Sequence, residues 1–226
     1  QKVHMATSAP SAPHPAITIE DSEAFCSVVT EQTTGGIVWD AAVTLLSFFE
    51  AHPEYFEGAP TVLELGAGTG WLGMSLAMRY SVSAIVMTEM GQGGALKWLD
   101  RNVDRNRKAG VPLGAARTAA LDWSWMQHAG EAEEDRPAEC TELLATHWDL
   151  VIGSDLVYNE AGVHMLPRVL SALAKPGTCI LYAHTFNRFE FFDRDFLKAL
   201  RAEGLSYREV WPEVGPGANA SGGEGG

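Results

Sequence analysis

The chain has 226 residues, and its 16 Lys and Arg against 29 Asp and Glu give a formal net charge of −13. Its 46% hydrophobic and 20% charged residues exclude wholesale disorder, and the length allows one large domain or two small ones whose core needs no disulfide staples. The acidity argues against a broad basic face for gripping nucleic acid.

Cys26, Cys140 and Cys179 form no CxxC and lie far apart, which argues against a disulfide framework or a zinc site. The seven histidines form no HExxH pair, so no metal is expected. No apolar run approaches the ~18 residues of a membrane span. A reducing compartment is expected, the cytoplasm with the nucleus as the alternative, and no membrane partner.

In chain order, Gln1 to Pro15 is rich in Ala, Ser and Pro and is expected to be a flexible tail. Ile17 to Val29 has strand character and reads as an extra N-terminal β layer. Asp40 to His52 is expected to be a helix with Asp40 as its N-cap. Thr61 to Leu65 is a strand, Gly70 to Tyr80 a helix, and Ala84 to Thr88 a strand. Leu96, Leu99 and Val103 mark a helix that stops at Gly110. Ala115 to Leu121 is a further strand. The stretch 127–142 reads as an acidic surface loop, its part from Glu131 to Glu142 holding six acids and one base. Strands follow at Trp148 to Gly153 and Cys179 to Ala183. Between them Pro167 is expected in the first turn of a helix running to about Ala174. Phe192, Phe196, Leu197 and Leu200 mark a last helix, and Tyr207 to Trp211 a last strand. After Trp211 the chain is Pro- and Gly-rich, and residues 215–226 read as an unstructured end.

This alternation of near-continuous apolar strands with helices implies an α/β, Rossmann-like sandwich: a mostly parallel central sheet with helices on both faces. One domain over 16–214 is expected.

Glu64-Leu65-Gly66-Ala67-Gly68-Thr69-Gly70 joins the first of these strands to its helix. Glycines allow a sharp turn and bring backbone N–H groups close to a ligand, and ligands of open parallel sheets bind at strand carboxyl ends. The same loop also fits a tight turn that packs helix on sheet. Dinucleotide binding would want the third glycine one residue later, where Trp71 stands. A P-loop would need Lys followed by Ser or Thr, where the chain has Trp71-Leu72. Glu89 ends the next strand, 23 residues after Gly66, where an acid can accept bonds from both hydroxyls of a ribose. No basic residue waits in the loop for a pyrophosphate. An acidic pocket suits a cationic sulfonium, which points to S-adenosylmethionine. Glu64 would lie near its amino-acid end, the glycines along its length, and Asp122 and Trp123 beside the adenine.

Gly35-Gly36-Ile37-Val38-Trp39-Asp40-Ala41-Ala42, Val62 to Gly73, Thr88-Glu89, Asn102-x-x-x-Asn106, Leu121-Asp122-Trp123 and Trp148 to Tyr158 occur in that order. Together they resemble the seven-β-strand (class I) protein lysine methyltransferases of the methyltransferase-like group, over roughly residues 17–211. The resemblance implies an S-adenosylmethionine-dependent N-methyltransferase acting on lysine in a protein; a monomer is expected. It implies that Trp39 contacts the methionine part of the cofactor, that Gly66, Ala67, Gly68 and Gly70 belong to its loop, and that Glu89 binds the ribose. Trp123 would stand beside the adenine and Ser154 would contact the cofactor through its backbone. Asp155 and Tyr158 match the DxxY motif, with Asp155 orienting the incoming ammonium and Tyr158 lining its slot; Arg188 would stand near the substrate mouth. The family usually closes its sheet with a hairpin, and no seventh strand is readable after Trp211.

Alternatives carried from the residues are a small molecule, or protein histidine or arginine, as acceptor, and a cofactor-binding module without catalysis. His184 is a second candidate base, with a structural histidine as its rival. Trp71, Trp98, Trp125 and Trp148 read as packing. Lys97, Arg101, Arg105 and Lys108 form a basic stripe that reads as a solvated helix face.

Overall fold

The computed structural model describes residues 2–6, 17–19, 36–126, 136–186 and 190–211. Its strands are β1 (Lys2–Ala6), β2 (Thr61–Leu65), β3 (Ala84–Glu89), β4 (Ala116–Ala120), β5 (Leu150–Ser154), β6 (Cys179–Ala183) and β7 (Ser206–Trp211). Its α-helices are α1 (Asp40–Ala51), α2 (Trp71–Arg79), α3 (Ala95–Lys108), α4 (Ala138–Ala145), α5 (Glu160–Leu173) and α6 (Glu190–Ala202). The described strands form one sheet in the order β4-β3-β2-β5-β6-β1-β7, and every pairing is parallel.

Because successive side chains alternate between faces, each central strand feeds two cores. Leu63, Leu65, Val86, Val151 and Ile180 face the side covered by α4, α5 and α6. Val62, Ile85, Met87, Ile152 and Leu181 face the side covered by α1, α2 and α3. Burial on both faces is why these strands read as almost unbroken apolar runs. Glu64 breaks the run and points to the second face by the same alternation.

Side-chain bonds fix the register. The Thr61 backbone N–H and hydroxyl both donate to the Asp149 carboxylate at 2.8 Å, which ties the starts of β2 and β5. Those donors hold the Asp149 carboxyl below its ordinary range. Asn106 of α3, fully buried, accepts from the Thr18 N–H at 3.0 Å and donates to the Thr18 carbonyl at 2.9 Å.

The structure departs from the sequence reading in several places. Lys2–Ala6, expected in a flexible tail, is a strand between β6 and β7. It supplies both neighbours with backbone partners, a non-local pairing that local composition does not report. Residues 17–19 belong to no strand, since Thr18 spends its backbone groups on Asn106; the remainder of the expected β extension, 20–29, lies outside the described residues. So do 127–135 of the acidic stretch, tail residues 7–15 and the end 215–226. The rest of the acidic stretch runs into α4, because Cys140, Leu143 and Leu144 give it a buried stripe. Trp39, not Asp40, stands at the N-cap of α1; Asp40 is its first helical residue, where its charge complements the helix dipole. Pro167 lies inside α5, which is capped at its N-terminus by Asn159, whose side chain accepts from the Gly162 N–H at 2.8 Å. The buried face of Val163, Leu166 and Leu170 holds the turns on both sides of the proline.

Among the described strands, β7 pairs with β1 alone. Removing residues 1–6 is expected to speed amide exchange across Ser206–Trp211 by at least about tenfold while β2 and β5 keep their protection. Hydrogen exchange read by mass spectrometry checks this, and unchanged protection of β7 would remove β1 from the sheet.

Candidate active site

A cavity of about 690 Å³ opens at the carboxyl ends of β2, β3, β4 and β5. This is where the strand order reverses: β3 and β4 extend from one side of β2 and β5 from the other. The volume is in the range of small-molecule sites, ~300–1,000 Å³.

The loop after β2 forms one wall. Gly66 and Gly68 both have φ in the left-handed region, at +57° and +56°. A Cβ on Gly66 would stand 2.4 Å from Leu156 Cδ2, so this glycine is fixed by space as well as by conformation. The Gly68 N–H donates to Glu89 Oε1 at 2.8 Å. Gly66, Ala67 and Gly68 line the cavity. Gly70, expected among them, does not. It turns the chain into α2 at φ +76°, and a Cβ there would lie 2.5 Å from Leu99 Cδ1. Its role is the tight packing of helix on sheet.

Two carboxyl groups face this wall. Glu64 is 2% exposed, lines the cavity, and has no partner for its Oε2. Burial pushes its carboxyl up to about 8; the Gly73 N–H works against the shift and the nearby Glu89 adds to it. Gly73, in the first turn of α2, is what leaves room for the carboxyl. A Cβ on it would meet Glu64 Oε2 at 2.4 Å and Met87 Cγ at 2.5 Å. Burial likewise raises the Glu89 carboxyl, opposed by the N–H groups of Gly68 and Met90.

Trp39, Asp122, Trp123, Ser154, Asp155 and Tyr158 complete the lining used below. The Asp122 carboxylate accepts from the Ser124 N–H at 2.9 Å and so starts the short helical turn Trp123–Met126. Trp123 also packs against the core beneath. Tyr158 stands at the rim with Ile37 and Met90, each more than a third exposed. Asp155 has φ +51°, and its carboxylate accepts two bonds from Thr185. Arg188 lies outside the described residues.

His184, the alternative base, is buried away from the cavity. Its Nε2 lies 2.8 Å from Asp193 Oδ1, and its ring neighbours Tyr182 and Phe196. Trp71, Trp98 and Trp148 are buried, and Trp125 packs on the core; Trp71 also lines the cavity floor. No cluster of His, Cys, Asp and Glu able to hold a metal occurs among the described residues. The sequence reading gave no role of their own to Gly73, Thr185 and Asn102, whose side-chain amide donates to the Thr69 carbonyl at 3.1 Å. Gly73 and Asn102 stood within segments that carried the family resemblance, and Thr185 left no signal.

The family described as Lysine methyltransferase matches residues 26–203 of the chain. Protein N-lysine methyltransferase METTL21A of Danio rerio is 33% identical over 177 residues, covering 77% of this chain and 70% of that one. EEF1A lysine methyltransferase 3 of Mus musculus is 34% identical over 145 residues, covering 64% of this chain and 53% of its own. Calmodulin-lysine N-methyltransferase of Arabidopsis thaliana is 27% identical over 137 residues, covering 61% and 40%. The chain thus spans between 40% and 70% of the length of these curated relatives. Among solved structures, a SAM dependent methyltransferase from Agrobacterium tumefaciens has a TM-score of 0.51 at 14% identity, over 76% of this chain and 53% of that one. That likeness is one of fold.

The state of Glu64 sets a pH dependence. Between an ordinary carboxyl at 4.5 and the folded value of about 8, the folded protein holds a proton that the unfolded chain has lost. This group's stabilisation is therefore full below 4.5 and is lost as pH rises through 8, at about 1.4 kcal/mol per pH unit. Glu64→Gln cannot titrate, so its stability relative to the parent protein should rise between pH 5 and 8 by at least about 2 kcal/mol. Urea unfolding across that range measures it; a constant difference would show that Glu64 is ionised throughout.

Proposed function

Because this chain belongs to the lysine methyltransferase family, we propose that it transfers a methyl group from S-adenosylmethionine to the side-chain nitrogen of a lysine in a protein substrate. The observation that carries this reading is the convergence of a buried carboxyl, Glu64, a half-buried one, Glu89, a glycine loop and the Asp155–Tyr158 segment on one cavity.

The residues present fit the cofactor. Glu64 offers an unpartnered carboxyl oxygen, suited to an ammonium group, and a cation beside it would restore its ionised form. Glu89 at the end of β3 is placed to accept from a pair of ribose hydroxyls. Gly66 and Gly68 present backbone without side chains along the wall, Trp39 an aromatic face, Ser154 its backbone, and Asp122 with Trp123 a slot for a flat ring. When bound, the cofactor supplies an electrophilic methyl on a sulfonium.

The protein's part is positioning, which supplies most of the effect in an in-line displacement. A lysine must first lose its proton to water, since an ammonium has no lone pair. Asp155 accepts a hydrogen bond from the incoming nitrogen and so fixes its direction of approach. Tyr158 walls the slot and attracts the cation through its ring face. The net charge of −13 favours a lysine set in a basic segment. Action as a monomer is part of this reading. Cys140 and Cys179 are free thiols, which suits the cytoplasm.

Calorimetry should detect S-adenosylmethionine binding, and Glu89→Ala should weaken it at least about tenfold. Incubation with radiolabelled cofactor and a cell lysate should label a protein band that mass spectrometry maps to lysine. Label on small molecules, RNA, histidine or arginine would assign a different acceptor. Tight binding without any transfer would make the protein a binding module.

A further inference from the structure

The turn that carries Asp155 is held from β6 and the loop beyond it. Asp155 sits in the left-handed region, which costs most residues with a Cβ free energy and costs aspartate less. Its N–H donates to the Ala183 carbonyl at 2.9 Å. The next amide, Leu156, donates to the buried Tyr182 hydroxyl at 2.8 Å. The carboxylate is then gripped at both oxygens by one residue. The Thr185 N–H donates to Oδ1 at 2.9 Å, and the Thr185 hydroxyl donates to Oδ2 at 2.9 Å.

This grip is not a helix cap, since the cap of α5 is Asn159. Nor is Thr185 part of the cavity wall. Its own position is set one residue earlier, where His184 is buried against Tyr182 and Phe196 and bonded to Asp193 of α6. The carboxylate of a cavity-lining residue is thus oriented through a side chain anchored to both the sheet and a helix. A carboxylate has about four lone-pair directions, so two bonds in a fixed plane orient it and still let it accept from a substrate nitrogen.

We infer that Thr185 is a positioning residue of this site, setting the plane of the Asp155 carboxylate toward the incoming side-chain nitrogen. The inference rests on the methyltransferase reading above. Bonds to a charged acceptor are directional and strong, so losing the hydroxyl lets the carboxylate rotate out of that plane.

Thr185→Val keeps the shape and removes the hydroxyl, whereas Thr185→Ser keeps it. With radiolabelled S-adenosylmethionine and saturating protein substrate, Thr185→Val should lower kcat roughly tenfold or more. Thr185→Ser should stay within about threefold of the parent protein, and both should keep cofactor affinity by calorimetry within about twofold. Unchanged kcat in Thr185→Val overturns the inference. So does a Thr185→Ser as slow as Thr185→Val, or a loss of cofactor affinity matching the loss of kcat, which would mark a structural role. If the parent protein labels an acceptor other than lysine, the lysine reading falls, and the two variants decide the inference on that acceptor. If the parent protein transfers nothing, the reading fails first and the inference with it.

Discussion

The end of β3 holds the glycine loop away from the sheet, and the cavity depends on that hold. The Ala67 N–H donates to the Thr88 carbonyl at 2.9 Å and the Gly68 N–H to Glu89 at 2.8 Å, while the Thr88 hydroxyl donates to the Glu64 carbonyl at 2.7 Å. Backbone donors in such a loop need partners, because water reaches them poorly. Neighbouring strand residues supply those partners for Ala67 and Gly68, so the shape of the loop is set from within the fold. Glu89 has two duties in consequence. It fixes the loop from behind and presents a carboxylate to the cavity in front.

The opposite wall is built around one leucine. Leu156 sits where a Cβ on Gly66, Gly153 or Gly162 would stand 2.4, 2.9 and 2.3 Å from its atoms. The glycines of the loop after β2, of β5 and of the first turn of α5 therefore leave the space that it fills. This wedge couples the loop after β2 to the Asp155–Tyr158 segment, so the proposed cofactor and substrate halves of the cavity share one packing contact. A methyl group added at any of the three glycines would be felt in both halves, since close-packed interiors do not absorb such overlap cheaply.

Electrostatics in the cavity follow from the same crowding. Glu64 lies on a strand buried on both faces, and the Gly73 N–H opposes its shift. An acid in that position keeps its proton near neutral pH and gives it up when a cation arrives. The acidity of the chain as a whole acts at longer range, raising the local concentration of basic partners.

The sequence by itself determined what is local and periodic. Short apolar runs and 3.6-residue hydrophobic periods marked β2 to β7 and four of the six helices to within a few residues, and the spacing of Gly66, Gly68, Glu89, Asp155 and Tyr158 pointed to one end of the sheet. Glu89, Asp122, Ser154 and Asp155 came together in the cavity because each stands at or just after the end of a strand, and strand ends in a parallel sheet share one edge. What depends on partners distant in the chain only the tertiary structure decided. Lys2–Ala6 became a strand because β6 and β7 leave backbone groups that it can pair, and Gly70 turned from ligand loop to packing because Leu99 fills the space beside it. The protonation of Glu64 is a matter of burial from two faces, and the orientation of Asp155 is a matter of a threonine 30 residues away. Neither the protonation of one buried acid nor a long-range hydrogen bond leaves a trace in the hydrophobic pattern, because each is a property of the assembled layers.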